Sequence, residues 1–249
     1  MKYDERGNVI QATYFGIDDQ PCLSEYGYAK YTSKHDERGN TIEVTYFGTD
    51  DEPCLIKNGC SKFTNKYDER GNVTEEAYFG IDGKPCLSDN GISKIKWKYD
   101  EQGNKTEKAS FGIDNQLCLN NNGFAKIVAK YDERGNRIKV AYFGIDDNPC
   151  LSTDGIAGFA SKYDERGNET EETYFGIDNQ LCLKKEGYAK ATWKYDERGN
   201  VIEDAYFGID NKPCLFDNKF AKANLKYDEL GNVIDVTFFD TDGKPIMHR

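Results

Sequence analysis

A repeat of 32 residues runs through the whole chain and constrains its fold more than any other feature. The sequence Lys-Tyr-Asp-Glu-Arg-Gly-Asn, or a close variant, begins each copy, and no insertion or deletion separates the copies. A fixed period of roughly 20 to 50 residues is typical of stacked or ring-shaped arrays, in which each copy packs on its neighbours. The sequence therefore predicts a single array, with units at residues 2–33, 34–65, 66–97, 98–129, 130–161, 162–193, 194–225 and, as a partial unit, 226–249.

The first half of each unit predicts a turn, a strand and a second turn. In the third copy, residues 67–72 (Tyr-Asp-Glu-Arg-Gly-Asn) predict a hairpin turn whose Gly has a positive φ angle. Residues 73–79 have the composition and alternation of a strand. Residues 80–84 predict another turn, since only Gly, Asn or Asp occurs at position 83 and its equivalents.

The second half of the unit completes an all-β pattern. Residues 85–87 predict a short strand, residues 88–91 a third turn, and residues 92–99 a second long strand. No helical periodicity of useful length occurs. We therefore predict an all-β fold of tandem repeats that form a β-solenoid or a spiralling β-ribbon superhelix. The alternative is a toroidal β-propeller, because about 32 residues suffice for a small blade.

A second periodicity spans three copies. Apolar pairs occur in copies two, five and eight, at Ile42/Val44, Ile138/Val140 and Ile234/Val236, whereas copies three, four and six carry Thr with Glu or Lys. One hypothesis is that three repeats make one turn of a superhelix, and the other is duplication of a three-copy block. Equivalent burial at positions 44, 76 and 108 would contradict the superhelix.

Two adjacent positions are aromatic in nearly every copy, as at Tyr78 and Phe79. Neighbouring residues of a strand point to opposite faces, so we expect both faces of the ribbon to contact other structure. Aromatic ladders within a core are the first interpretation. A carbohydrate-binding or choline-binding aromatic surface is the alternative.

The charge and hydropathy of the chain argue against several partners. The formal net charge is −11, whereas binding of nucleic acid or of anionic lipid requires a basic surface. No apolar run approaches the roughly 20 residues of a membrane span. The chain begins within a repeat and shows no signal peptide. We therefore expect no nucleic-acid partner and no membrane insertion.

Seven cysteines share one register of the repeat and Cys60 lies elsewhere; the seven are Cys22, Cys54, Cys86, Cys118, Cys150, Cys182 and Cys214. Copies two strands apart place equivalent Cα atoms about 10 Å from each other. A disulfide needs less than about 7 Å, so the cysteines are predicted to be buried free thiols. Free thiols favour the cytoplasm, and the sequence gives no other indication of localisation.

No catalytic constellation is present. Asp-Glu pairs such as Asp68-Glu69 recur in every copy, which makes them turn residues rather than one acid/base pair. There is no Cys-x-x-Cys motif, no phosphate-binding glycine loop, and only two histidines. We predict no enzyme activity and no catalytic, cofactor-binding or metal-binding residues.

The motif Tyr-Asp-x-x-Gly-Asn followed by a strand resembles the YD repeats of the RHS family. It stands at residues 3–8 and 67–72 and in the other copies, with His35 in place of Tyr in copy two. The resemblance implies a spiralling β-ribbon that serves as a shell or spacer in large secreted toxins and cell-surface proteins. The unit here is longer, since it adds Gly-Ile-Asp-x-x-Pro-Cys-Leu, and the chain is too short for a closed toxin shell.

Two classes of function follow. The first is a non-enzymatic structural or protein-binding scaffold, as a segment of a larger bacterial repeat protein or an engineered consensus array. Its partner is another protein bound through the variable loops, or a second array in self-association at the array ends. The loops are Ser24–Tyr26, Ile56–Asn58, Ser88–Asn90, Asn120–Asn122, Ser152–Asp154, Lys184–Glu186 and Phe216–Asn218. The alternative is a glycan or small-ligand binding module that uses exposed rows of Tyr.

Overall fold

The fold is all-β in a computed structural model, which describes residues 1–246. Sixteen antiparallel strands form an open sheet whose strand order is the order of the chain. This is the ribbon type of repeat array. The propeller alternative is wrong, because a propeller divides its strands among separate blades. No helix in the described part of the chain is long and apolar enough to cross a membrane.

Each copy contributes two strands, and every second strand ends at Phe79 or at the equivalent phenylalanine of its copy. The strands are β1 (Lys2–Tyr3), β2 (Val9–Thr13), β3 (Lys30–His35), β4 (Thr41–Phe47), β5 (Lys62–Tyr67), β6 (Val73–Phe79), β7 (Lys94–Tyr99), β8 (Lys105–Phe111), β9 (Lys126–Tyr131), β10 (Arg137–Phe143), β11 (Gly158–Tyr163), β12 (Glu169–Phe175), β13 (Lys190–Tyr195), β14 (Val201–Phe207), β15 (Lys222–Tyr227) and β16 (Val233–Phe239). Only β2 departs from this, ending before its Tyr-Phe pair.

The chain divides into two compact units. The first unit comprises residues 1–126 with 144–146, and the second comprises residues 127–143 with 147 onward. Within each unit a fully paired hairpin alternates with a shorter junction. In the first unit β3 pairs with β4 from Lys30↔Phe47 to His35↔Thr41. The following junction pairs β4 with β5 over three residues only.

The turn predictions are confirmed at every copy. The Gly that follows Tyr-Asp-x-x has φ between +84° and +88° in all eight copies. Position 83 and its equivalents also have positive φ throughout, from +56° at Asp19 to +75° at Gly243. The predicted strand over 73–79 is β6.

Two strand predictions need correction. The short strand over 85–87 was predicted wrongly, because Pro85 forms only an isolated bridge with Phe79, and the copies that have leucine in its place, at Leu117 and Leu181, also form only an isolated bridge. The second long strand begins at Lys94 rather than at residue 92. The carbonyl oxygen of Ile92 instead closes the preceding turn by accepting from the Ser88 backbone N–H, 2.8 Å away.

The two faces of the sheet differ in what covers their aromatic rows. On one face lysine side chains lie over the Phe rings, with the Lys30 ammonium 4.2 Å from the Phe47 ring centroid. On the opposite face the Tyr rings contact one another and the apolar residues of the next strand. Adjacent Tyr and Phe therefore point to opposite faces as predicted, but lysines rather than a second layer cover the Phe face.

The Tyr face forms a core in the second unit. Tyr174, Tyr188 and Tyr206 are at most 8% exposed, and they pack with Val140 and Phe159. The ring centroids of Tyr174 and Tyr188 lie 5.6 Å apart, and those of Tyr188 and Tyr206 lie 4.9 Å apart. The predicted aromatic ladder is thus confirmed in this unit.

Burial at the position that varies between copies is not equivalent. Val44 and Val140 are buried, with exposures of 7% and 2%, whereas Glu76 and Lys108 are half-buried. Val236, at the same position of the last copy, is 37% exposed. Unequal burial at positions 44, 76 and 108 does not contradict a superhelix with three repeats per turn. That superhelix remains a prediction.

Candidate binding surface

One row of turns has the same side chains in nearly every copy; we call residues 67–72 and their equivalents the constant turns. The Asp68 carboxylate accepts hydrogen bonds from the backbone N–H groups of Arg70 (2.9 Å) and Asn72 (2.8 Å). The side-chain amide of Asn72 donates to the other carboxylate oxygen at 3.0 Å. This last bond is the main cause that lowers the pKa of Asp68. The Asp and the Asn of the motif are therefore required by the turn itself.

Side chains of the constant turns also join neighbouring copies. The Arg70 guanidinium donates to the backbone carbonyl of Glu101 in the next copy. The Tyr99 hydroxyl donates to the carbonyl of Val73 in the previous copy at 2.7 Å. Where His35 replaces the tyrosine, its Nε2 atom lies 2.9 Å from the corresponding carbonyl oxygen of the first copy. The Tyr and Arg of the motif thus act between copies.

A second row of turns has different side chains in each copy; we call residues 88–91 and their equivalents the variable turns. Here neighbouring copies are joined by backbone atoms, since the N–H of Asp89 donates to the carbonyl of Asn58 at 2.9 Å. The same bond joins Lys57 to Tyr26 (3.0 Å), Lys185 to Asp154 (2.9 Å) and Asp217 to Glu186 (2.9 Å). One side chain, Asn121, adds a bond to the Asp89 carbonyl at 2.9 Å. The backbone bond thus joins the variable turns at four junctions, and at the junction of the third and fourth copies the Asn121 side chain supplies the donor.

The three residues of each variable loop are not equally available to a partner. The first residue packs inward, as Phe216 shows, whose ring stacks on Tyr206 with a centroid distance of 4.8 Å. Lys184 places its ammonium 5.1 Å from the Tyr174 ring. The second residue is exposed in all seven loops, and the third is exposed in five. The first residue of each loop is thus half-buried, and contact of a partner with these loops remains a prediction.

Exposed aliphatic residues lie beside the variable turns in sequence and were not predicted as surface. Leu87 directly precedes a variable turn and is 50% exposed, and Leu119 is equally exposed. Ile81, inside the second turn of the unit, is 56% exposed. The equivalents of these residues are Leu23, Leu55, Leu151, Leu183, Ile17, Ile113, Ile145, Ile177 and Ile209. The sequence signal for the isoleucines is an aliphatic residue between the Gly and the Asp of a turn, whereas the leucines directly follow the repeated Cys.

The Tyr face of the first unit contains an open groove of about 640 Å³. Its aromatic lining consists of Tyr14, Tyr28, Tyr31, Tyr46 and Phe63. Tyr14 is 42% exposed, and burial raises the pKa of Tyr46 to about 12. The Asn65 side chain also lines the groove, and its Oδ1 atom is buried with no hydrogen-bond partner among the described residues.

The eight cysteines are free thiols. The seven of the shared register are half-buried rather than buried as predicted, because they lie at the surface side of the second turn. The Cys54 Sγ atom lies 3.8 Å from the carbonyl oxygen of Gly27 in the previous copy. Only Cys60 is fully buried, and burial raises its pKa to about 11. No group of three or more potential metal ligands is present in residues 1–246.

Comparisons with known proteins reveal similarity of structure only. No protein-family model matches the sequence, and no curated protein matches it. The crystal structure of TcdB2-TccC3-Cdc42 is similar with a TM-score of 0.37 and 13% identity, over 98% of this chain and 15% of that chain. The Tc holotoxin pore of Photorhabdus luminescens is similar with a TM-score of 0.35 and 12% identity, over 86% and 12% of the two chains. The chain thus spans less than a sixth of these proteins, and similarity this low supports no functional conclusion.

Proposed function

We propose that the chain is a non-enzymatic scaffold of the YD-repeat type that binds another protein through its variable turns. The observation that carries this proposal is the backbone hydrogen bonding between those turns. Turns that are joined by N–H and carbonyl groups present different side chains on a shared backbone, and the turn at Phe216–Asn218 keeps the bond although its φ angles differ. A preorganised surface loses less conformational entropy on binding than a mobile loop does.

The surroundings of the variable turns fit a protein partner. The exposed second residues differ in charge from copy to copy, as Lys57, Asp89 and Thr153 show. Next to them in sequence lie the half-exposed leucines, which provide apolar contact area in the first six copies. Apolar contacts beside variable polar groups are typical of protein interfaces. The leucines would supply affinity and the variable residues would select the partner.

The YD-type assignment is supported by the role of each motif residue. Tyr, Asp, Gly, Arg and Asn of the constant turns each make a defined contact or adopt a required φ angle, so the motif describes a structural unit.

The carboxylates with raised pKa values are engaged in the core. Tyr174 donates to Glu172, and Tyr206 donates to Asp204 at 3.2 Å. Their pKa values are raised mainly by burial, which supports a structural role rather than acid/base catalysis.

The test exchanges exposed second residues between copies while the composition of the chain stays constant. Proteins captured from a bacterial extract by the exchanged chain and by the unchanged chain are compared by quantitative mass spectrometry. A partner that is retained by the unchanged chain and lost by the exchanged chain is the expected result. Equal retention by both chains contradicts the proposal. A control chain in which the half-exposed lysines of the Phe face are changed to arginine should retain the partner.

A second candidate function is binding of a neutral sugar in the groove of the first unit. The partly exposed rings favour it, because sugars stack on aromatic faces. Isothermal titration with neutral oligosaccharides tests it. Binding that is lost in Tyr14→Ala and kept in the loop-exchanged chain supports this function. If none of the oligosaccharides gives a heat of binding, the sugar-binding function is excluded.

A further inference from the structure

A cleft lies between consecutive constant turns and recurs along the array. The Arg of one turn lines it together with the Tyr, Asp and Glu of the next turn. Two of these clefts also contain a tryptophan. The Trp97 cleft of the first unit has a volume of about 600 Å³, and the Trp193 cleft of the second unit has a volume of about 460 Å³. The two clefts can therefore be compared residue by residue.

In the Trp97 cleft the chain supplies its own cation to the tryptophan. The Lys105 ammonium group lies 5.3 Å from the centroid of the Trp97 ring. Lys105 belongs to the next strand of the sheet, where it pairs with Tyr99. The face of an aromatic ring attracts cations, and tryptophan does so most strongly. This indole thus already has an ammonium group as its partner.

The Trp193 cleft has the same ring without that cation. Val201 pairs with Tyr195 as Lys105 pairs with Tyr99, so a valine stands where the first cleft has its lysine. No cation lies over the Trp193 ring in the part of the chain that the structure describes. The ring is half-buried and lines the cleft. It can therefore accept an ammonium group from outside the chain.

A second replacement makes the surroundings of the Trp193 cleft more negative. Glu169 stands where the first cleft has Val73; the backbone carbonyl of each accepts a hydrogen bond at 2.7 Å, from Tyr195 and Tyr99 respectively. The pKa of Tyr195 is raised by burial and, to a smaller extent, by the charge of Glu169. Because Lys105 has no counterpart and Glu169 is added, the second cleft is two charges more negative than the first.

The charged groups of the Trp193 cleft favour a cation over an anion. The Lys194 ammonium group is paired with Glu203 at 2.8 Å, and the Arg166 guanidinium donates to the Glu197 backbone carbonyl at 2.8 Å. The carboxylates of Glu169 and Glu197 have no ion pair among residues 1–246. Both cations are thus engaged within the array, whereas two carboxylates at the cleft are without a partner.

We propose that the Trp193 cleft binds an ammonium group, which belongs either to a lysine of another polypeptide or to a small organic cation. The ammonium group lies over the Trp193 indole as Lys105 lies over Trp97, and the carboxylates of Glu169 and Glu197 balance its charge. The cleft shares no lining residue with the groove of the first unit and contains no residue of the variable turns. The proposal therefore does not depend on the functions proposed above.

The first test uses the two tryptophans as separate reporters in the 249-residue chain. Two indole N–H signals are expected in a ¹⁵N correlation spectrum, and Trp97→Phe assigns them. Choline is added at constant ionic strength. The Trp193 signal should shift saturably with a Kd on the order of 1–10 mM, and the Trp97 signal should shift little. Dimethylbutanol, the uncharged isostere in which carbon replaces nitrogen, should bind at least about tenfold more weakly.

The second test moves the site from one cleft to the other. Val201→Lys places a lysine beside Trp193 and should weaken choline binding about tenfold, because the internal ammonium group competes. Lys105→Val combined with Val73→Glu should make the Trp97 signal respond. The matched control is Val233→Lys, which adds the same charge at the same position of a copy without tryptophan. It should leave the affinity within about twofold.

A second probe, Nα-acetyl-lysine amide, distinguishes the two sources of the ammonium group. Tighter binding of this probe than of choline would support a lysine of a polypeptide, and the reverse would support a small quaternary cation.

Three results would overturn the proposal. The first is no saturable shift of the Trp193 signal with either probe up to about 100 mM. The second is an equal affinity for choline and dimethylbutanol. The third is an equal response of both tryptophans in the unchanged chain, since Lys105 should protect one of them.

Discussion

The constant turns and the variable turns both join neighbouring copies, but they do so with different atoms. At the constant turns the donors are side chains, such as the Arg70 guanidinium and the Tyr99 hydroxyl. At the variable turns the donors are backbone N–H groups, as between Asp89 and Asn58. A contact made by a side chain restricts the residue type, whereas a contact made by the backbone leaves the side chain free. This difference accounts for uniformity on one row and diversity on the other.

The exceptions within each row agree with this explanation. His35 replaces a tyrosine of the constant turns and still reaches the same carbonyl. The last variable turn has Lys219 in place of the usual Gly, and the positive φ angles move to Asp217 (+49°) and Asn218 (+58°). The constant turns therefore accept a different residue only where the contact between copies is kept. The variable turns accept even a change in turn conformation.

The largest expected effect comes from backbone strain in a constant turn. Gly71 has φ +87°, and a Cβ atom there would meet nothing closer than Asn40 Oδ1 at 4.0 Å. Gly71→Ala should therefore cost about 1–2 kcal/mol of unfolding free energy through strain alone. Urea denaturation measures it. Gly71→Asn is the control and should cost less, because Asn tolerates positive φ; an equal cost would indicate a steric cause.

A smaller loss should follow from removal of one side-chain bond between copies. Tyr99→Phe deletes the hydroxyl that donates to Val73 and should cost about 1 kcal/mol. Tyr99→His imitates the second copy and should recover part of that loss, since the imidazole can reach the same carbonyl. If Tyr99→Phe and Tyr99→His are equally destabilising, the tyrosine acts through packing. That result would contradict the claim that side-chain hydrogen bonds join the constant turns.

The variable row should respond to loss of its backbone donor and not to loss of its side chain. Asp89→Pro removes the N–H that bonds to Asn58 at a turn position that proline favours, and should cost about 1 kcal/mol. Asp89→Ala keeps that N–H and should stay within about 0.5 kcal/mol of the unchanged chain. Thermal denaturation compares the two variants. If Asp89→Ala is as unstable as Asp89→Pro, the claim that backbone bonds join the variable turns is contradicted.

A pH effect distinguishes a carboxylate on the Tyr face of β12 from its neighbour on the opposite face. Burial raises the pKa of Glu172, so the folded state disfavours its ionised form. That penalty is present above the raised pKa and is relieved as the pH falls through it. Glu172→Gln should thus raise the thermal midpoint at pH 8 and lose this advantage toward pH 4. Glu171→Gln, which loses the ion pair with Lys162 (2.8 Å), should instead lower the midpoint at pH 8.

The sequence predicts the local features of the fold because they depend on single residue types. A Gly at position 71, or an Asp or Asn at the equivalents of position 83, reports a positive φ angle directly. Residues 85–87 are less informative, since their apolar character suggested a strand, whereas position 85 forms only an isolated bridge even in the copies that have Leu117 or Leu181 there. The exposure of Leu87 and the bonds between variable turns depend on the register between copies. That register is set by pairing across junctions, which no single copy encodes.

Exchange of exposed residues among the variable turns tests the central claim most directly. The variant exchanges Glu25, Lys57, Asp89, Thr153 and Lys185 between copies, so that composition and net charge remain the same. Urea denaturation should show the same midpoint and the same slope as the unchanged chain. A loss of stability as large as that of Tyr99→Phe would show that side chains hold the variable turns together, which contradicts the claim.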